Sequence, residues 1–131
     1  MTETQRAAQR AAPGKMRVLG VDPGTRVLGY GILDVERGRE PSLVHSGVVR
    51  LPAKPLSFRL ETIFREMRDL IARYVPRVLA IEEVFHGKNF QSVLKVGEAR
   101  GVVVLAAQMS GLEIEEYAPA VIKRADRKSV V

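Results

Sequence analysis

Three carboxylates stand where short apolar runs stop. Asp22 follows Val18-Leu19-Gly20-Val21, and Glu82-Glu83 follow Val78-Leu79-Ala80-Ile81. Acids placed at strand ends can hold a hard divalent cation, which takes oxygen ligands. Side chains alternate across a strand, so Glu82 and Glu83 point to opposite faces and only one can share a face with Asp22. If the two strands lie side by side and parallel, their C-terminal ends meet at one sheet edge, and Asp22 converges there with one glutamate. Taken alone, Asp22 has an equally good plain reading as the cap of the turn that follows it. Just past the second acid pair, Phe85-His86-Gly87-Lys88-Asn89-Phe90 mixes aromatic, cationic and amide groups. As an ordinary connection it would only tuck one aromatic under. Beside two acids it reads better as a loop that stacks on bases and contacts phosphates. His45 and His86, the only histidines, share no metal-ligand spacing and read as structural or solvent-exposed.

The elements that must position these groups follow from periodicity. Lys15 to Tyr30, K-M-R-V-L-G-V-D-P-G-T-R-V-L-G-Y, organises the rest. Val18, Leu19 and Val21 predict a strand buried on both faces. Pro23-Gly24 presets a tight turn, with Gly24 there to accept positive φ. Val27 to Leu33 returns as a second strand, and Leu43 to Leu51 as a third, which makes an antiparallel meander closed by Pro52 and Pro55. Ser57 is the expected N-cap of a helix. In that helix Leu56, Leu60, Ile63, Phe64, Met67, Leu70, Ile71 and Tyr74 recur at steps of three and four, with charges on the far side. After Pro76 comes the strand ending at Glu82, and its arrival through a helix makes it parallel to its neighbour. Ser92 to Gln108 predicts a second helix stopped near Gly111. Gly97 and Gly101 inside it each cost about 1 kcal/mol against Ala, which close approach to another element would offset. Leu112 to Tyr117, with Glu113 and Glu115, reads as an edge strand, and Pro119 opens a short helix through Ile122-Lys123.

Composition narrows the class. A chain of 131 residues makes one domain that buries roughly two thirds of its unfolded surface. With no cysteine, disulfides and thiolate metal sites are excluded, and a cytoplasmic setting is the simplest assumption. The longest purely apolar stretch, Val102 to Ala107, is far too short to span a bilayer. The pI near 10.1 points to a polyanion less than it suggests, because residues 1–15 carry +2, residues 123–131 carry +3, and the middle is nearly neutral. Residues 1–15, ending in Pro13-Gly14, read as a disordered extension, with the domain over 16–123 and a basic tail over 124–131.

Three ordered motifs carry a resemblance. V-L-G-V-D-P-G-T-R-V-L-G-Y-G, A-I-E-E-V-F-H-G-K-N-x-x-S-x-L-K-V-G-E-A-R-G and E-Y-A-P-A-V-I-K, from about Met16 to Lys123, closely resemble the RuvC family of bacterial Holliday junction resolvases. The resemblance implies an α/β RNase H-like fold: a mixed five-stranded sheet, three antiparallel strands first and parallel strands after, with flanking helices. It implies a structure-specific endonuclease that resolves four-way DNA junctions in recombination and repair. By the same resemblance Asp22 and Glu82 match two of four catalytic carboxylates that hold two Mg²⁺ ions. Phe85 matches an aromatic used near the junction's bases, Lys123 a catalytic basic residue beside the scissile phosphate, and Lys88 and Asn89 belong to the same DNA-contacting set. It implies a homodimer and a RuvA-RuvB branch-migration partner. Glu83 matches no catalytic position.

The sequence departs from the family after Lys123. A Gly-containing loop and a final helix with two more catalytic aspartates are expected there, and Arg124-Ala125-Asp126-Arg127-Lys128-Ser129-Val130-Val131 follows instead. The segment reads as a truncated form with the loop deleted, lacking half its metal ligands and essentially inactive as a nuclease. Two other classes stay open. A non-catalytic junction-binding module would keep the loop without the chemistry. An actin-like sugar kinase or ATPase shares D-x-G-T at a strand end but needs a second phosphate loop and an adenosine site.

Overall fold

In the computed structural model the described residues are 11, 13–24, 26–83 and 90–117. They form strands β1 (Lys15–Asp22), β2 (Val27–Glu36), β3 (Ser42–Arg50), helix α1 (Leu56–Tyr74), β4 (Val78–Glu82), helix α2 (Phe90–Met109) and β5 (Glu113–Tyr117). The five strands make one sheet in the order β3-β2-β1-β4-β5. β1–β2 and β2–β3 are antiparallel, while β1–β4 and β4–β5 are parallel. This is the mixed RNase H-like order, with β1 at the centre and β5 at an edge. β1 begins at Lys15, paired with Glu36, one residue inside the expected extension.

One face of the sheet carries both helices. Leu19 and Val21 of β1, Leu28 and Ile32 of β2, Leu79 and Ile81 of β4 pack with Ile63, Met67, Leu70 and Ile71 of α1 and Ala99, Val103, Ala106 and Ala107 of α2. Burying those branched side chains contributes about 25 cal/mol per Å² of apolar surface removed from water. Two-faced burial of β1 does not hold: Val18 and Gly20, on the opposite face, are only half-buried. α1 and α2 both take the Leu19–Val21 side, so the alternation of the pleat leaves the other row less covered.

Four local expectations are corrected. Gly24 does not take positive φ; it is required because a Cβ there would run into the carbonyl of Val27. Ser57 lies inside α1, whose N-cap is Pro55, without a side-chain cap bond. The helix starts instead on the Pro55 carbonyl, which accepts from the Phe58 amide at 3.0 Å. Gly97 and Gly101 approach no other described residue closely, since a Cβ on either would find none of their atoms within 4 Å. Gly111 does end α2 at φ +81°, and the Leu112 amide returns to the Ala107 carbonyl at 3.0 Å. Phe90, expected in the loop, opens α2 and is 79% exposed.

Two polar contacts fasten the sheet to α1. Arg17 is buried in β1 and grips Asp34 of β2 with Nε–Oδ1 at 2.8 Å and Nη2–Oδ2 at 3.1 Å. Its remaining terminal nitrogen donates to the Tyr74 carbonyl at the end of α1, 3.1 Å away. His45 is structural, as expected: its Nε2 lies 3.0 Å from the Tyr30 hydroxyl and its ring stacks on Tyr74. Burial, with Tyr74 and Glu66 nearby, pushes the Tyr30 phenol above its ordinary pKa.

The hydrogen bond from Arg17 holds the Asp34 carboxyl below its ordinary value of 3.8, against the opposing effect of burial. A carboxylate depressed in the folded state stabilises the fold above its unfolded pKa, and that stability is lost as pH falls through the folded value. Asp34→Asn leaves a buried guanidinium without its counter-charge, and removing one partner of such a pair costs about 3 kcal/mol or more. Urea midpoints should show this gap at neutral pH and a gap that narrows as pH falls below about 4; a gap indifferent to pH would contradict the account.

Candidate active site

The site is made by register. β1 and β4 pair in parallel from Val18–Val78 to Val21–Ile81, and the next residue on each strand is an acid. Leu19, Val21, Leu79 and Ile81 face the helices. Alternation therefore sends Asp22 and Glu82 together to the opposite face, at the C-terminal edge of the sheet. Glu83 falls on the helix side. Adjacent strands lie about 4.8 Å apart, so the two side chains start within reach of one small ion. Asp22 is exposed and Glu82 half-buried. Among the described residues no ion pair or side-chain hydrogen bond engages either carboxylate.

β5 extends the same row. Glu82 pairs with Tyr117 and Ala80 with Glu115, so Tyr117 and Glu115 share the face of the two acids. The Tyr117 phenol donates to the Glu115 carboxylate, and that bond, helped by burial, raises the phenol's pKa. Glu116 lies on the helix side with Ile81 and is paired to Arg100 of α2, Nη2–Oε1 2.8 Å. Arg100 Nε also donates to the Glu82 carbonyl at 3.2 Å.

These residues suit a hard cation in part. Mg²⁺ keeps several waters and is commonly held by one or two carboxylates plus substrate phosphate, and two unneutralised carboxylates at an edge meet that pattern. Among the described residues no group of three or more Asp, Glu or His forms a fuller cage. Phe85, Lys88, Asn89 and His86, the short helix at Pro119, Lys123 and the basic tail lie outside the described residues. Arg100, Glu115 and Tyr117 were not singled out as site residues from sequence. Glu116, which with Asp126 is an acid of the sequence that could complete a metal site, lies instead on the helix side with Ile114 and is taken up by Arg100.

A family model described as crossover junction endodeoxyribonuclease RuvC matches residues 18–127. The chain belongs to the RuvC family. It is 49% identical over 109 residues to the crossover junction endodeoxyribonuclease RuvC of Dichelobacter nodosus, covering 83% of this chain and 61% of the relative. It is 44% identical over 111 residues to that of Heliobacterium modesticaldum, covering 84% of this chain and 68% of the relative. The chain thus spans about three fifths to two thirds of these RuvC relatives. Among solved structures, Thermus thermophilus RuvC in complex with a Holliday junction substrate superposes with a TM-score of 0.76 at 32% identity, over 83% of this chain and 70% of that one. The yeast mitochondrial Holliday junction resolvase Ydc2, at 13% identity and a TM-score of 0.61 over 88% of this chain and 58% of its own, shares the fold.

The β1–β4 register distinguishes two adjacent glutamates. Glu82→Gln should weaken Mg²⁺ binding sharply, whereas Glu83→Gln should leave it unchanged. Isothermal titration calorimetry with MgCl₂ decides between them, and equal losses would place the ion elsewhere.

Proposed function

We propose that this chain carries the nuclease domain of a structure-specific endonuclease that cuts four-way DNA junctions with Mg²⁺, in recombination and repair. The observation that carries the reading is the parallel β1–β4 register, which sets Asp22 and Glu82 on one face of one edge in a RuvC-family chain. An ion held there supplies Lewis acidity to the phosphodiester under attack. The protein's part is to hold that centre and present the DNA to it. Asp22 and Glu82 offer oxygen ligands from two strands fixed by the same ladder, so their spacing is set before any ligand arrives. Phe85 stacks against a base and Lys123 stands by the scissile phosphate, as the resemblance assigns them, while Lys88 and Asn89 engage the backbone by the chemistry of the loop that carries them. Phosphate contacts by Lys88 and Lys123 release counterions, so affinity falls with salt at a slope of about −0.9 per phosphate neutralised. Family membership leaves the sugar-kinase reading without support. The non-catalytic junction-binding module remains the second reading, because among the described residues two carboxylates stand at this edge without a fuller cage.

The same reading includes a homodimer, a RuvA-RuvB partner and a cytoplasmic setting. For the dimer α2 offers a surface. Phe90, Leu94, Gly97, Gly101, Leu105 and Met109 fall on one stripe opposite Ala99, Val103, Ala106 and Ala107. Along this stripe Phe90 is 79%, Leu94 51%, Leu105 51% and Met109 60% exposed. A depression of about 310 Å³ lined by Phe90, Val93, Leu94, Gly97 and Glu98 lies at its start. Among the described residues nothing lies within 4 Å of a Cβ at Gly97 or Gly101, so none of them bars the close approach of a second copy at the stripe's centre. No described helix is long and apolar enough to cross a membrane.

Two measurements test the proposal. The chain should bind a four-way junction in preference to linear duplex, and whatever Mg²⁺-dependent cleavage it shows should vanish in Asp22→Asn while binding persists. Cleavage untouched by that change would overturn the site, and binding with no cleavage under any condition would favour the non-catalytic module. Leu94→Glu with Leu105→Glu should turn dimer into monomer in sedimentation equilibrium, with the fold retained because both positions are half exposed.

A further inference from the structure

Arg100 stands on α2, yet its guanidinium works at the end of β4. Nε donates to the Glu82 carbonyl at 3.2 Å, and Nη2 lies 2.8 Å from the Glu116 carboxylate, with the Arg100 side chain only 19% exposed. That carbonyl belongs to the first residue beyond the last β1–β4 rung, Val21–Ile81. On the other side of the strand, the Glu83 amide donates to the Tyr117 carbonyl at 2.8 Å. The backbone that carries Glu82 is therefore tied on both flanks just where the β1 ladder ceases to hold it.

We propose that Arg100 is a positioning residue for the metal-binding glutamate: it pins the end of β4 between α2 and β5 so that the Glu82 carboxylate faces Asp22. The inference rests on the reading of Asp22 and Glu82 as metal ligands. Its chemistry separates the two roles of Glu82. Arg100 binds the backbone oxygen and places its charge on Glu116, which lies on the helix side of the sheet. The Glu82 carboxylate, on the far side, thus keeps its own charge for a cation. A guanidinium paired with that carboxylate would compete with the ion instead. The planar fork of arginine serves a carbonyl and a carboxylate in fixed directions at once, which the single ammonium of lysine does less well. The arrangement also joins both ends of the segment 83–90, since Glu82 precedes it and Arg100 sits on the helix that follows it. Misplacement of a ligand by a lost outer contact is felt directly in metal affinity.

The test reads metal binding in the whole 131-residue chain, with no DNA and no turnover, by the loss of the free Mn²⁺ electron paramagnetic resonance signal. Circular dichroism sets a temperature at which every variant is folded. Arg100→Ala should lower Mn²⁺ affinity by about tenfold, the scale on which outer-shell partners of metal ligands act. Arg100→Lys should recover part of that loss and Glu116→Gln should cost less than Arg100→Ala. Asp34→Asn, which loosens the opposite end of the sheet, should leave affinity unchanged although it destabilises the fold. Wild-type affinity in Arg100→Ala, with binding still abolished by Asp22→Asn, would overturn this inference and leave the metal site standing. If Arg100→Ala does not fold, wild-type affinity in both Arg100→Lys and Glu116→Gln would do the same. Failure of the wild-type chain to bind Mn²⁺, or binding indifferent to Asp22→Asn, would overturn the metal reading and this inference with it.

Discussion

The parallel pairing of β1 with β4 is the constraint on which the molecule depends. Every rung from Val18–Val78 to Val21–Ile81 fixes which residues share a face, and a slip of one residue would exchange the two faces of β4. Leu79 and Ile81 would leave the core and Glu83 would replace Glu82 beside Asp22. Packing and chemistry therefore select the same register. The apolar side chains that hold the helices against the sheet are the reason the acids stand together on its other side.

That division of labour runs through the sheet. The helix-facing side carries the hydrophobic cluster together with two ion pairs, Arg17–Asp34 and Arg100–Glu116. Both arginines do more than pair: one also binds the last carbonyl of α1, the other the carbonyl of Glu82. They sit toward opposite ends of the sheet, each joining a strand end to a helix. The other side carries Asp22, Glu82, Glu115 and Tyr117 with small or half-buried residues between. Core packing on one side can vary without touching these groups, provided the strand ends stay where the arginines hold them.

Much of this was legible in the sequence because it follows from one-dimensional patterns. Apolar runs ending in acids marked β1 and β4, the intervening three-four periodicity marked α1, and a crossover through a helix required parallel strands. The choice of Glu82 over Glu83 came from a resemblance, since alternation alone shows only that the two differ. What stayed illegible depends on tertiary contact. Arg17 and Asp34 look like ordinary strand polar residues until β1 and β2 are aligned. Arg100 looks like an ordinary helix charge until α2 is seated beside the end of β4. Gly97 and Gly101 suggested intimate packing within the chain, whereas the small residues that meet the core are Ala99, Ala106 and Ala107. Ser57 had the right type for a cap, but it lies within the first turn, and the Pro55 carbonyl before it begins the ladder.

The separation of β1's two partners along the chain has a consequence for the order in which the protein gains its chemistry. β2 follows β1 across a few residues, whereas β4 arrives only after β3 and α1 have been traversed. Contacts close in sequence form at a smaller entropic cost than distant ones, so the three-stranded meander can assemble with Asp22 in place while Glu82 is still far away. A partly folded chain then carries a lone carboxylate, too little to concentrate a divalent ion beside a DNA phosphate. On the proposed metal reading, Asp22 therefore gains its partner only once β4 has closed against β1, a contact that a chain folded through β3 alone does not have.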